Sequence, residues 1–304
     1  GLLKPGDHVI TSGMEHNSVM RPLRLMEAGG FDITVIPCDQ EGLLDPAQIT
    51  GAIQKNTKAI FITHASNVTG TVLPLADVGR IARDYGLTLC VDAAQTAGSY
   101  PIDVLDMNID LLAFTGHKSL LGPSGTGGLY IREGVEKNIE PLCVGGTGSR
   151  SEMETQPDFM PDRYEAGTPN TAGIAGLQAG VEFVLSRGIS EIKSKEENLT
   201  KMFIEGIKSL PGITLYGQTS VERRIPVVSF NIAGMDPAAV ALELDERFKI
   251  MSRSGLQCAP AAHKTIGTFP AGTVRFSFSY FNTGEQIIQS IEALEQINKG
   301  RKSI

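Results

Sequence analysis

The stretch Ile109-Asp-Leu-Leu-Ala-Phe-Thr-Gly-His-Lys118 decides the fold prediction. Residues 109–114 have the apolar composition of a buried strand, and Lys118 follows four residues after that strand. An earlier apolar stretch, Leu87-Thr-Leu-Cys-Val-Asp92, ends on a carboxylate 26 residues before Lys118. Two strand ends therefore supply an amine and a carboxylate.

These two groups are what pyridoxal phosphate (PLP) chemistry requires. The amine can form a Schiff base with the cofactor aldehyde, and the carboxylate keeps the ring nitrogen protonated so that the ring accepts electrons. Taken singly, Asp92 reads as a turn former and Lys118 as a surface lysine. Their combination, with Gly116 permitting close backbone approach, predicts a PLP site.

The chain around this stretch alternates strand-like and helical segments. We predict strands at residues 8–11, 33–37, 59–63, 88–91, 111–114 and 128–131, and helices at 21–28, 46–54 and 75–85. Asp45-Pro46 is typical of a helix start, and Gly86 of a helix end. Such alternation predicts an α/β fold with a mostly parallel sheet covered by helices.

A composition shift near Gly188 predicts a domain boundary. Helices are predicted at residues 172–185 and 189–210, and strands at 213–216, 226–232 and 274–279. A chain of 304 residues is longer than chains that fold around a single hydrophobic core usually are. We therefore predict a large PLP-binding domain over residues 1–187 and a smaller α/β domain over residues 188–304.

Composition narrows the class of protein. The net charge is −7, no basic block is present, and no apolar run approaches the roughly 20 residues that span a bilayer. Nucleic-acid and membrane partners are therefore not expected, and a small-molecule substrate is. The four cysteines show no CxxC spacing, so neither a metal site nor a disulfide framework is expected, and a reducing cytoplasm fits.

Five motifs in order carry a resemblance to a known family. They are Glu15-His16, Val91-Asp-Ala-Ala-Gln95, Gly116-His-Lys118, Glu165-Ala-Gly-Thr-Pro-Asn170 and Arg253-Ser-Gly-Leu-Gln-Cys258. The sequence resembles the class V aminotransferases, in their cysteine desulfurase and selenocysteine lyase branch. The resemblance implies a PLP-dependent fold-type I homodimer that converts L-cysteine to L-alanine and forms a persulfide on a loop cysteine.

The resemblance also implies roles for individual residues around the cofactor. His16 would stack on the ring and move protons, while Asn67 and Gln95 would lie beside the ring oxygen. Three residues would bind phosphate, one of them across the dimer: Thr115, His117 and Thr168. Read locally, His16 is a helix-start residue and Gln95 a solvated loop amide, and the others are turn residues: Asn67, Thr115, His117 and Thr168. His8, His64 and His263 lack metal-like spacing and are interpreted as structural or surface residues.

Cys258 distinguishes cysteine desulfuration from reactions that form no persulfide. It follows Arg253 by five residues in a segment containing Gly255, and this cationic neighbour would favour a thiolate. In the family, a cysteine here accepts sulfur, and an arginine matching Arg275 binds the substrate carboxylate. Arg253 is a second substrate-binding candidate. Leu256-Gln257 stand where better-known desulfurases of the short-loop group carry histidines.

Two other functions stay open on sequence alone. One is an aminotransferase, selenocysteine lyase or C–S lyase without persulfide transfer, and the other is a truncated noncatalytic relative. The second is motivated by the start at Gly1, because the family's first phosphate-binding turn is expected upstream of it. A sulfur-acceptor protein is a further expected partner.

Overall fold

A computed structural model describes residues 1–300. Its larger sheet contains the strands β1 (His8–Ser12), β2 (Asp32–Ile36), β3 (Thr57–Thr63), β4 (Thr88–Asp92), β5 (Leu111–Thr115) and β6 (Gly127–Ile131). The order is β2-β1-β3-β4-β5-β6, and only the β5–β6 pair is antiparallel. The predicted mostly parallel α/β sheet is therefore confirmed, with each predicted strand shifted by at most two residues.

Helices cover this sheet because its strands present apolar side chains. Those helices are α1 (Asn17–Ala28), α2 (Pro46–Ala52) and α3 (Leu75–Asp84). Ile60 and Ile62 of β3 point to one face, since side chains alternate along a strand, and they share a core with Leu75 and Val78 of α3. Asp45 starts α2 as predicted, by accepting a hydrogen bond from the Ala47 N–H at 3.0 Å.

Two long helices lead from the large sheet to a smaller one. α4 (Thr171–Arg187) and α5 (Ile189–Lys208) meet at Gly188, which has a φ of 82°. This left-handed conformation suits glycine and explains why the helical run breaks there. The division of the chain into domains at residues 187 and 188 stays a prediction.

The smaller sheet is antiparallel throughout. Its strands β7 (Ile213–Tyr216), β8 (Val227–Ile232), β9 (Arg253–Gly255) and β10 (Thr273–Ser277) lie in the order β7-β8-β10-β9. Its core includes four phenylalanines, with the Phe203 ring centroid 5.0 Å from that of Phe276 and 5.2 Å from that of Phe278. Three helices complete this part: α6 (Pro237–Phe248), α7 (Pro260–Thr265) and α8 (Gly284–Gly300).

The two sheets meet at the carboxyl ends of the parallel strands. Ser229 of β8 donates a hydrogen bond to the Val68 carbonyl at 2.6 Å, just beyond the end of β3. Hydrogen bonds from the Asn17 N–H to the Cys258 carbonyl and from the Thr265 hydroxyl to the Gly13 carbonyl hold the β9–α7 segment against the chain between β1 and α1. Across residues 1–300, no helix combines the length and apolar character needed to span a membrane.

Candidate active site

The strand order reverses direction between β1 and β3, and ligands of open α/β sheets bind outside the carboxyl ends of strands at such a point. A cavity of about 340 Å³ lies beyond the carboxyl ends of the neighbouring strands β4 and β5. Lys118 and Gln95 line it from the large sheet, and Arg275 lines it from β10. Three sequence candidates, from both halves of the chain, therefore line one cavity.

Lys118 reaches the cavity from a tight turn after β5. The Gly116 N–H bonds to the Thr126 carbonyl at 2.8 Å, and a Cβ on Gly116 would lie only 2.1 Å from the Thr126 hydroxyl. Burial lowers the pKa of Lys118, an effect that Asp92 opposes and Arg275 reinforces. The amine is therefore shifted toward its neutral, nucleophilic form.

Asp92 ends β4 and is oriented by its own turn. Its Oδ1 accepts a hydrogen bond from the Ala94 N–H at 2.9 Å. Asp92 and Thr115 line an apolar groove beside the cavity, and the Thr115 hydroxyl is buried with no hydrogen-bond partner within residues 1–300. The neighbouring His117 is exposed.

His16 begins α1 and belongs to the same electrostatic cluster. Its Nδ1 accepts a hydrogen bond from the Ser18 N–H at 3.1 Å, which assigns the proton of the neutral ring to Nε2. Burial is the main cause that lowers the pKa of His16, while Asp92 raises it and Lys118 and Arg253 lower it further. Four charged side chains thus act on His16, namely Asp92, Lys118, Arg253 and Arg21.

Glu15 was not predicted to contribute to the site, although it precedes His16 in the quoted motif. It is fully buried, and its Oε1 accepts hydrogen bonds from the Ser12 hydroxyl at 2.5 Å and the Thr63 N–H at 3.0 Å. Burial raises the pKa of Glu15 to about 8, three hydrogen bonds from Ser12 and Thr63 oppose that shift, and the charge of Asp92 adds to it. Glu15 therefore holds a proton at neutral pH.

Cys258 follows β9 in a strained turn. Its exposed sulfur lies 3.4 Å from Nη2 of Arg253. Gln257 and Cys258 have φ values of 42° and 59°, a left-handed conformation that is uncommon outside glycine. The Cys258 carbonyl accepts a hydrogen bond from the Asn17 N–H at 2.8 Å, which ties the turn to the start of α1.

Asn67 connects the Cys258 turn to Arg275. Its backbone carbonyl accepts a hydrogen bond from Arg275 Nη1 at 2.8 Å, and its side-chain Nδ2 donates to the Gln257 carbonyl at 2.7 Å. Asn67 Oδ1 and Arg275 Nε are buried and have no hydrogen-bond partner in the described chain. Both atoms remain available to bind a ligand.

Not every predicted site residue joins this cluster. Thr168 is exposed in the segment before α4, and its side chain makes no hydrogen bond within residues 1–300. Burial raises the pKa of Cys38 to about 12 and also raises that of Cys90, which makes both thiols poor nucleophiles. The described residues contain no cluster of metal-ligating side chains.

The sequence is similar to a family of known enzymes. The sequence profile of the family described as Aminotransferase class-V matches residues 1–289. A protein of Methanothermobacter thermautotrophicus named "Probable cysteine desulfurase" is 39% identical over 298 residues, which cover 97% of this chain and 74% of that protein. A cysteine desulfurase of Escherichia coli is 35% identical over 302 residues, which cover 98% and 72%.

Solved structures agree with the sequence comparison. The apo structure of a cysteine desulfurase from Thermococcus onnurineus superposes with a TM-score of 0.90 at 36% identity, covering 98% of this chain and 74% of that one. An Escherichia coli cysteine desulfurase in an S-sulfonic acid form gives a TM-score of 0.87 at 29% identity, covering 97% and 72%. These similarities extend over both sheets.

Proposed function

The chain belongs to the class V aminotransferase family, and we propose that it is a PLP-dependent cysteine desulfurase that converts L-cysteine to L-alanine. The observation that carries the proposal is the 3.4 Å contact between Arg253 and the sulfur of Cys258, beside the cavity lined by Lys118 and Arg275. Amino-group transfer requires no thiol nucleophile, so this cysteine favours desulfuration. The named relatives support the same activity.

The residues present fit PLP. Lys118 would supply the amine, Asp92 the partner of the ring nitrogen, and the side-chain amide of Gln95 an N–H donor to the ring oxygen, with Asn67 beside that oxygen. The unpartnered Thr115 hydroxyl would bind phosphate, with His117 and Thr168 as further phosphate ligands. When bound, PLP supplies an aldehyde that joins to amines and a ring that accepts electrons from the substrate.

Proton transfer falls to Lys118 and His16. Burial lowers the pKa of Lys118, so Nζ can take the proton from the substrate Cα as a general base. His16 carries its ring proton on Nε2, because Nδ1 is used by the Ser18 N–H. It can therefore donate at Nε2 and accept a proton there afterwards.

Arg275 and Cys258 would act on opposite ends of the substrate. The Arg275 guanidinium would hold the substrate carboxylate, with the Asn67 carbonyl fixing its orientation. The Cys258 sulfur attacks the substrate sulfur, so an S–S bond forms and the C–S bond breaks. The electron pair of the broken bond stays with the substrate carbon, which takes up a proton to give alanine, and Cys258 carries a persulfide.

Substitution of the cysteine tests this function. Cys258→Ser should bind PLP and L-cysteine but accumulate no persulfide and release no alanine in a single turnover. Cys143→Ser, which removes the other exposed cysteine, is the matched control and should behave as wild type. Mass spectrometry should find the added sulfur on the peptide containing Cys258. Normal alanine formation by Cys258→Ser would refute the mechanism.

A homodimer and a sulfur-acceptor protein belong to the same proposal, as does a cytoplasmic location. Exposed Thr168, which would bind the phosphate of the neighbouring subunit, supports the dimer. Thr168→Ala should weaken PLP retention, and mixing it with Lys118→Ala should restore activity above either parent through hybrid sites. A monomer that binds PLP normally would contradict shared sites.

A further inference from the structure

Gln257 and Cys258 are the only consecutive non-glycine residues with positive φ within residues 1–300. Each such conformation is disfavoured and persists only where surrounding contacts impose it. Strain of this kind often occurs at functional sites. The contacts that impose it here therefore bear on how the sulfur of Cys258 is placed.

The side chain of Gln257 points into the protein and is saturated with hydrogen bonds. It is 3% exposed, and its Nε2 donates to the Thr273 carbonyl at 2.9 Å and to the Arg253 carbonyl at 3.4 Å. Its Oε1 accepts from the Thr273 hydroxyl at 3.3 Å. This one amide thus ties the residue before Cys258 to the backbone of Arg253, the residue that contacts its sulfur.

His263 of α7 anchors that amide. Its Nε2 lies 2.7 Å from Gln257 Oε1 and its Nδ1 lies 2.7 Å from the Thr268 hydroxyl. Because the amide oxygen can only accept, Nε2 must carry the proton. His263 is fully buried, and burial lowers its pKa to about 4, so the neutral tautomer persists at working pH. The interpretation of His263 as structural or surface missed this contact.

We propose that His263 and Gln257 form a positioning pair that holds Cys258 in its left-handed conformation and keeps its sulfur beside Arg253. The buried hydrogen bonds of the Gln257 side chain hold the backbone on the N-terminal side of Cys258 against the protein interior. The bonds from Asn67 to the Gln257 carbonyl and from Asn17 to the Cys258 carbonyl fix the two flanking peptide groups. The importance of this placement for sulfur transfer rests on the proposed function, whereas the placement itself does not.

Alkylation of Cys258 measures the placement without cofactor or substrate chemistry. The ratio of its rates with anionic iodoacetate and neutral iodoacetamide reports the nearby guanidinium, because exposure affects both reagents alike. Mass spectrometry of the Cys258 peptide in a Cys143→Ser background makes the measurement specific. Arg253→Gln gives the ratio expected when this cation is lost while Arg275, which also acts on Cys258, remains.

His263→Leu should lower this ratio about two- to fivefold, the range of an exposed charge–charge interaction. His263→Gln, whose amide can donate to Gln257 Oε1, should retain it. His8→Leu is the matched control, since His8 is also a fully buried, hydrogen-bonded histidine but lies at the opposite end of β1. It should lose stability and keep the wild-type ratio.

Gln257→Gly provides a second route should His263→Leu fail to fold. Glycine accepts a positive φ without strain, so this variant removes the anchoring amide and leaves the backbone conformation accessible. Its ratio should fall to that of Arg253→Gln. A wild-type ratio in folded His263→Leu or in Gln257→Gly would overturn the proposal. If the wild-type protein forms no alanine from L-cysteine, the proposed function is refuted. The alkylation ratios are measured without substrate, so that result leaves them unaffected.

Discussion

Replacement of Glu15 by glutamine should change how stability depends on pH. Glu15 is fully buried, and its pKa is raised to about 8 chiefly by burial. The folded protein therefore keeps a proton that the unfolded chain releases near the ordinary value of 4.5. The stabilising contribution is complete below about pH 4.5 and is lost as the pH rises through 8.

The size of the effect follows from these two pKa values. Each unit of pKa difference corresponds to about 1.4 kcal/mol, so raising the pH from 6 to 8 should cost the wild type about 2 kcal/mol relative to Glu15→Gln. Glutamine keeps an oxygen for the Ser12 hydroxyl and the Thr63 N–H. The pKa of Glu196 is also raised to about 8 by burial, but Glu196 titrates in both proteins and cancels in the comparison.

Urea unfolding of the PLP-free proteins at pH 6, 7 and 8 measures this difference. The range stays above the isoelectric point of about 5.3, where association would interfere. Glu246→Gln, which removes an exposed carboxylate on α6, controls for the change in net charge. A constant difference in unfolding free energy between wild type and Glu15→Gln over this range would show that Glu15 is not held protonated by the fold.

Three further predictions concern the reacting groups. Borohydride reduction should attach the pyridoxyl group to Lys118, and Lys118→Ala should lose both the label and turnover; peptide mapping that finds the label on another lysine would contradict the assignment. Asp92→Asn should retain PLP by absorbance yet turn over about a hundredfold more slowly, equivalent to about 2.7 kcal/mol; unchanged turnover would exclude Asp92 as the ring partner. Arg275→Ala should raise the KM for L-cysteine roughly tenfold or more with a smaller change in kcat, since it removes a contact made before the transition state; steady-state kinetics showing an unchanged KM would rule out carboxylate binding.

The large sheet could be predicted because each of its strands is a separate apolar run bounded by turn residues. The helices α6, α7 and α8 were not predicted, although the signal for α6 was present. Asp236 caps α6 with hydrogen bonds from Ala238 and Ala239, the same arrangement that identified α2. β9 has only three residues, which is too short for any periodicity to show.

The placement of Asp92 at the end of β4 and of Lys118 shortly after β5 could be predicted, because each follows a separate apolar run. Contacts between distant segments could not. Nothing local in the sequence indicates that Gln257 turns inward to meet His263, since glutamine usually lies at the surface and a positive φ is not expected of it. Glu15 was overlooked for a similar reason, because its burial depends on how β1 and β3 pair.

Asn67 supports both groups that would act on the substrate, Arg275 at its carboxylate and Cys258 at its sulfur. Its backbone carbonyl accepts a hydrogen bond from Arg275, and its side-chain amide donates one to the Gln257 carbonyl in the Cys258 turn. Replacement of its side chain can therefore disconnect the turn while the arginine keeps its bond, because every residue type retains the carbonyl. Binding of an amino acid carboxylate by Arg275 is accordingly insensitive to the residue type at position 67, whereas the support of the Cys258 turn depends on the asparagine side chain itself.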